Sequence, residues 1–160
     1  IDLLVNNASS FYPTPIGEIT ENDWNDLIGT NLKGPLFITQ AARDALKEAH
    51  GSVINLIDVH TRSPLKNHPT YSSAKAGLKM LTRSLAKDLA PEIRVNGISP
   101  GAILWPEDGM SEEAKKSILE QIPLNRPGSP QDIADCVLFL LYQANYITGQ
   151  IIAVDGGRSV

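Results

Sequence analysis

The sequence has one cysteine, no long apolar run and no pattern of metal ligands. Cys136 alone cannot form an internal disulfide, and its apolar helical surroundings predict a small buried side chain. No apolar run reaches the length that crosses a membrane, so we expect no membrane association. The histidines lack metal-binding spacing with cysteines or paired acids, so we expect no bound metal. They are His50, His60 and His68.

Positive charge is also low. The 14 lysines and arginines are outnumbered by 18 aspartates and glutamates, which gives a formal net charge of -4 at pH 7. This balance argues against a nucleic-acid-binding surface and favours a soluble protein of the cytoplasm. The length of 160 residues suffices for one hydrophobic core, so we expect a single domain over residues 1–160.

Strand and helix patterns alternate along the chain. Apolar runs predict buried strands at 3–5, 53–58, 93–99 and 151–154, and helical periodicity predicts helices at about 21–49, 70–89, 111–121 and 130–143. This order predicts an α/β fold, a doubly wound parallel sheet with helices on both faces. Ligands of such sheets bind at the carboxyl ends of the strands. Asn7, Asp58, Pro100, Gly101 and Asp155 lie at those ends.

Tyr71 and Lys75 are four residues apart in a helical pattern, which places a phenol and an ammonium on one face. A phenol is a poor proton donor at neutral pH, and a nearby positive charge should lower its pKa. Asp58 at a strand end and Asn31 on an earlier helix complete a group that can handle protons. The alternatives are an ordinary exposed helix for the Tyr-Lys pair and a loop-capping role for Asp58.

Pro35 interrupts the long helical pattern at 21–49. It has no N–H to donate to the carbonyl of Asn31, four residues earlier, so we expect a kink and a free carbonyl there. The alternative is that the kink serves packing alone.

Several short segments together resemble the short-chain dehydrogenase/reductase family. In family order and spacing they are Asn6-Asn7-Ala8, Asn31, Tyr71-x-x-x-Lys75, Arg94-Val95-Asn96, Pro100-Gly101 and Asp155-Gly156-Gly157. The resemblance implies a nicotinamide-dependent reductase in which Tyr71 is the acid/base and Lys75 lowers its pKa and holds the nicotinamide ribose. It also implies that the Asn31 carbonyl holds a water linked to Lys75. The resemblance also implies which residues bind the cofactor: Asn6, Ala8, Ser9, Tyr71, Lys75, Pro100, Gly101 and Ile103. Of these, Ser9 would reach the phosphates.

Two departures from the family pattern resemble its pteridine reductases. Asp58 stands where the family usually has serine, and Ser9-Ser10-Phe11 follows Asn-Asn-Ala where the family usually has glycine; the segment 102–107 is similar to the bacterial members. The resemblance implies NADPH as cofactor and a pterin as substrate, with the pterin stacked between Phe11 and the nicotinamide. Asp58, Tyr71 and Trp105 would line the same pocket. Phe11 and Trp105 could instead serve packing.

The chemistry is consistent with this substitution. Hydride addition to the carbon of a C=N bond must be matched by a proton to the nitrogen, which a carboxyl linked to Tyr71 can help to deliver. A carbonyl or 3-oxoacyl-carrier-protein reductase of the same family stays an alternative, which Asp58 and Phe11 disfavour.

A glycine-rich phosphate loop is absent, although the family places one after its first strand. We therefore expect the N-terminal βαβ units to be missing from residues 1–160, and this chain alone to bind NADPH poorly; a catalytically incomplete fragment is a further alternative. The resemblance also implies a homotetramer, assembled through the two long helices and the C-terminal strand region.

Overall fold

The computed structural model describes residues 1–104 and 109–160. Within them, one parallel sheet has the strand order β1-β2-β3-β4. Its strands are β1 (Leu3–Asn6), β2 (Ser52–Leu56), β3 (Arg94–Pro100) and β4 (Ile151–Val154). The helices are α1 (Glu21–Ile28), α2 (Gly34–Glu48), α3 (Pro69–Asp88), α4 (Glu112–Leu119) and α5 (Pro130–Tyr142). The predicted α/β fold with a parallel sheet is thus confirmed.

Helices cover both faces of the sheet because successive strand residues point to opposite sides. On one face, β2 and β3 pack against α2 and α3 through Leu46, Val53, Ala86, Ile93 and Val95. On the other face they pack against α5 and the residues after it through Ile54, Leu56, Ile98, Leu140 and Ala144. Cys136 packs against this second cluster but is only partly buried, whereas its apolar surroundings predicted a buried side chain. The strands are therefore held rigidly, and their carboxyl ends form a fixed edge.

The helix predicted at 21–49 is not continuous. Residues Gly29–Lys33 form a π-helical segment between α1 and α2, which ends where the Gly34 N–H donates to the Gly29 carbonyl. Pro35, in the first turn of α2, is buried and has no N–H to donate. The interruption therefore lies where the proline predicted it, and the chain accommodates it by widening one turn.

The Arg94-Val95-Asn96 segment supports the end of α5 and the loop that follows it. The Arg94 guanidinium donates to the carbonyls of Leu140 at 2.7 Å and Leu141 at 3.1 Å. The Asn96 amide donates to the Ile147 carbonyl at 2.9 Å. The Arg94 bonds satisfy carbonyls that the end of α5 leaves without partners, and the Asn96 bond holds the loop that follows. This family segment has a structural role here, distant from the chemistry described below.

None of the helices that the structure describes is both long enough and apolar enough to span a membrane. Over the same described ranges, histidine, cysteine and acidic residues form no group of three that could hold a metal ion.

Candidate active site

A carboxyl and a phenol meet at the carboxyl end of β2. Asp58 follows that strand by two residues, and Tyr71 lies in the first turn of α3. The Tyr71 Oη donates to Asp58 Oδ2 at 2.6 Å, and the backbone N–H of His60 donates to Asp58 Oδ1 at 2.8 Å. Asp58 therefore caps the short 3-10 turn at Val59–Thr61, as the alternative interpretation expected, and it also accepts a hydrogen bond from the phenol. Asp58 and Tyr71 line one cavity of about 380 Å³.

Lys75 lies one turn further along α3 and is 3% exposed. Its ammonium is 5.8 Å from the centre of the Tyr71 ring. It donates one hydrogen bond, to the Leu56 carbonyl at 2.9 Å. An ammonium has three N–H donors, so among the described residues two lack a protein acceptor. A buried ammonium with donors to spare beside the phenol fits the hydroxyls of a nicotinamide ribose.

The electrostatics of Tyr71 correct one expectation. Burial raises the pKa of Tyr71 above its usual value, the charge of Asp58 and the hydrogen bond to its carboxylate raise it further, and the Ser9 hydroxyl acts in the opposite direction. The predicted lowering of this pKa by Lys75 is wrong for this arrangement, because the carboxylate touches the phenol and the ammonium does not. Burial lowers the pKa of Lys75 to about 8, with the charge of Asp58 opposing the change.

Phe11 forms part of the same cavity wall and is 56% exposed. One face of its ring stacks on His68, with ring centres 4.8 Å apart and planes 11° from parallel. The Phe11 and Tyr71 rings are packed edge to face, with centres again 4.8 Å apart and planes 75° from parallel. Phe11 is therefore not a core residue; it is a fixed aromatic surface beside the phenol. The position of His68 behind this ring has no signal in the sequence.

Asn31 is fully buried, and its side chain anchors the loop that carries Phe11. Its amide donates to the carbonyls of Ser10 and Leu27, each at 2.9 Å. The Ser9 hydroxyl donates to Asn31 Oδ1 at 2.6 Å. The side chain of Asn31 therefore connects the π-helical segment to the loop that carries Phe11, a contact that the sequence did not predict.

Asn6 differs from the other cofactor-binding candidates because its side chain turns inward. It is 8% exposed and donates to Asn55 Oδ1 at 2.8 Å and to Thr39 Oγ1 at 3.3 Å. Asn55 in turn donates to Thr82 Oγ1 at 2.9 Å. This buried polar network ties β1 and β2 to α2 and α3. Only the backbone of Asn6 is left to reach a cofactor.

The remaining candidates lie around the strand ends. Ala8 is exposed in the loop after β1, and Pro100 ends β3. Gly101 is in the cavity wall, where a Cβ would lie 2.7 Å from the Cα of Asp155. The Ile103 side chain packs against Gly128. Trp105 lies outside the described residues.

Part of the cavity wall comes from segments that the sequence did not identify as part of the site. It includes Leu65, Met110, Ile118 of α4 and Arg158. Met110 and Ile118 flank a segment with mainly charged residues, and nothing in its pattern pointed to the site. Arg158 directly follows the Asp155-Gly156-Gly157 motif, and this position is the sequence feature that could have indicated its place near the site.

The known proteins that this chain resembles agree in family but differ in the substrates that their names give. Residues 1–159 match the family model described as enoyl-(acyl carrier protein) reductase. The chain is 40% identical to the 3-oxoacyl-[acyl-carrier-protein] reductase FabG of Aquifex aeolicus, over 98% of this chain and 65% of the relative. It is 39% identical to Pteridine reductase 1 of Leishmania tarentolae, over 99% of this chain and 63% of the relative. It is 41% identical to FabG of Staphylococcus aureus strain Mu50, over 98% and 65%. The chain thus spans just under two thirds of the length of these curated relatives.

Proposed function

The chain belongs to the short-chain dehydrogenase/reductase family, and from that premise we propose that its protein is an NADPH-dependent pteridine reductase. The observation that carries the proposal is the 2.6 Å hydrogen bond from Tyr71 to Asp58 inside a cavity that Phe11 also lines. A volume of about 380 Å³ lies within the range of small-molecule sites.

The proton chemistry rests on the Asp58–Tyr71 pair. When bound, the nicotinamide supplies a hydride to the carbon of a C=N bond, and the nitrogen of that bond must then take up a proton. Burial and the charge of Asp58 raise the pKa of Tyr71, so the phenol keeps its proton at neutral pH and releases it only to the strongly basic nitrogen that hydride addition leaves. That proton leaves Tyr71 Oη directly or passes through Asp58 Oδ2, and solvent replaces it. Lys75 would hold the ribose through its free N–H donors.

Phe11 and Asp58 support a flat heteroaromatic substrate over a simple ketone. Phe11 is 56% exposed, and offset stacking on its ring would be worth about 0.5–1.5 kcal/mol beyond area burial. The Asp58 carboxylate accepts hydrogen bonds only, which suits the ring N–H and amino groups of a pterin. A serine at that position, as the family usually has, could donate to a ketone oxygen, which an ionised carboxylate cannot do.

A second candidate is reduction of 3-oxoacyl thioesters. The comparisons favour it over the first, because FabG enzymes outnumber pteridine reductases among the relatives described above. The site geometry favours the pterin. The two candidates share the cofactor and Tyr71, and they differ in what Asp58 does.

Steady-state kinetics on the protein as its gene encodes it separates the candidates. We expect 7,8-dihydrobiopterin to have a higher kcat/KM than acetoacetyl-CoA, with NADPH as reductant. Asp58→Ser should lower pterin reduction by roughly 10²–10⁴-fold, the usual range for a general acid/base group. The matched control is Asp88→Ser, which changes an exposed carboxylate at the end of α3. Preference for the thioester, with Asp58→Ser neutral or faster, would establish the second candidate instead.

We further propose a homotetramer in the cytoplasm. Large apolar side chains are exposed on α2 and α3 and again on α5, and such faces support assembly. They are Phe37, Ile38, Met80, Leu138, Phe139 and Tyr142. Sedimentation equilibrium should give four times the monomer mass, and fractionation should leave the protein with the cytosol.

A further inference from the structure

A second cavity adjoins the reaction cavity. It has a volume of about 470 Å³. Four residues line both cavities and form their common wall: Val59, His60, Leu65 and Arg158. The tail of a molecule whose ring lies against Asp58 and Tyr71 would therefore lie next to the second cavity, beside Arg158.

The second cavity is rich in positive charge. Arg62, Lys66 and Arg158 all line it. Across residues 1–104 and 109–160, none of the three forms a salt bridge with a carboxylate. The two guanidiniums have only long bonds to neutral acceptors, from Arg62 to Ser159 at 3.3 Å and from Arg158 to Gln121 at 3.4 Å. Their charge is thus largely available to a ligand.

Asp155 is an acid whose ionisation responds to the charge of Arg62. Burial opposes its ionisation, but hydrogen bonds from Ser159 and Gly157 together with the charge of Arg62 hold the pKa of Asp155 below its usual value. Its carboxylate oxygens accept the backbone N–H of Gly157 at 2.9 Å and of Ser159 at 2.8 Å. Asp155 is therefore committed to the turn after β4 and does not replace an anion in the cavity.

We infer that this cationic cavity binds an anionic substituent of the substrate, a carboxylate or a phosphate attached to the ring that is reduced next door. The inference rests on the proposed function and specifies it further. Guanidinium groups match both anions because their N–H donors form a planar fork. Arg158, which borders both cavities, lies where the ring and its tail would join, and Arg62 and Lys66 lie beyond it.

Three pterins with the same ring and different tails test this. 7,8-Dihydrobiopterin has an uncharged tail, 7,8-dihydrofolate has a tail with carboxylates, and dihydroneopterin monophosphate has a phosphate. We expect a higher kcat/KM for at least one anionic substrate than for dihydrobiopterin, and the favoured one identifies the anion. Arg62→Gln should reduce that preference by roughly 10- to 100-fold, as the loss of a hydrogen bond between charged groups does. The control Arg43→Gln changes an exposed arginine of α2 and should leave the preference intact.

The outcome that overturns the inference is equal kcat/KM for all three pterins, or an equal loss for all three in Arg62→Gln. Calorimetry with the tail alone keeps the test independent of turnover. p-Aminobenzoyl-glutamate and inorganic phosphate are titrated into the wild type and Arg62→Gln. Binding of either probe that weakens in the variant supports the cavity even when no pterin is reduced, which would refute only the proposed function. If neither probe binds, or if Arg62→Gln leaves the binding unchanged, the inference that this cavity binds an anion is contradicted.

Discussion

Replacing Lys75 with methionine should change how the stability of the protein depends on pH. Lys75 is 3% exposed, and burial lowers its pKa from 10.5 in the unfolded chain to about 8 in the folded one. Between these values the folded protein has lost the proton while the unfolded chain still binds it. Stability therefore rises with pH across this window, at up to about 1.4 kcal/mol per pH unit.

The expected size follows from the two pKa values. Integrating the linkage relation from about pH 7.5 to about pH 9.5 gives a rise of about 2 kcal/mol in the free energy of unfolding that is specific to Lys75. Methionine keeps most of the side-chain volume and removes the charge. The Lys75→Met variant should therefore lack this rise and should be no less stable than the wild type at the lower pH, where the buried charge costs most.

Urea unfolding at a series of pH values, followed by circular dichroism, measures the difference between the wild type and the variant. Taking the difference cancels the titration of every group that both proteins share. Lys87→Met is the control, because it removes an exposed ammonium from the same helix and should follow the wild type. Parallel curves for the wild type and Lys75→Met between the two pH values would refute the reasoning that Lys75 is a buried ammonium with a lowered pKa.

Three substitutions test the packing that holds the site. Asn96→Ala removes the bond to the Ile147 carbonyl from a fully buried side chain and should lower the free energy of unfolding by about 1–3 kcal/mol in urea titrations. Gly97→Ala places a Cβ 2.6 Å from Ile57 Cδ1 and should cost about 1–3 kcal/mol by the same assay. Thr20→Ala removes the capping box of α1 and should cost about 0.5–2 kcal/mol. A variant as stable as the wild type would contradict the effect assigned to it. That effect is the loss of a hydrogen bond in Asn96→Ala, a steric clash in Gly97→Ala and the loss of a helix cap in Thr20→Ala.

The order of strands and helices was predictable because it depends on local patterns. Apolar runs predicted the four strands, and helical periodicity predicted the helices. In the structure, capping boxes at Thr20 and Ser129 begin α1 and α5. Pro35 also predicted an interruption of the helix at 21–49, because the missing N–H is a property of the proline itself and does not depend on its neighbours. The π-helical form of that interruption was not predictable, since it depends on how two helices pack around it.

The sequence predicted which residues lie at the site better than it predicted the contacts that these residues make. Asp58 and Tyr71 could be brought together because parallel strands end at one edge of the sheet. The direction of the Tyr71 pKa could not be predicted, because it depends on whether the carboxylate or the ammonium touches the phenol. The inward turn of Asn6, the anchoring by Asn31 and the contribution of Arg158 are tertiary arrangements, which sequence spacing does not encode.

The most direct measurement of the central claim is a double-mutant cycle on Asp58 and Tyr71. The claim is that these two side chains act as one proton donor during pterin reduction. kcat is measured with NADPH and 7,8-dihydrobiopterin for the wild type, Asp58→Ser, Tyr71→Phe and the double variant. Each single substitution should lower kcat by roughly 10²–10⁴-fold, and the double variant should be little slower than the slower single one, because groups that act as a unit are not additive. Losses that multiply in the double variant would show that the two side chains act independently, and would contradict the claim.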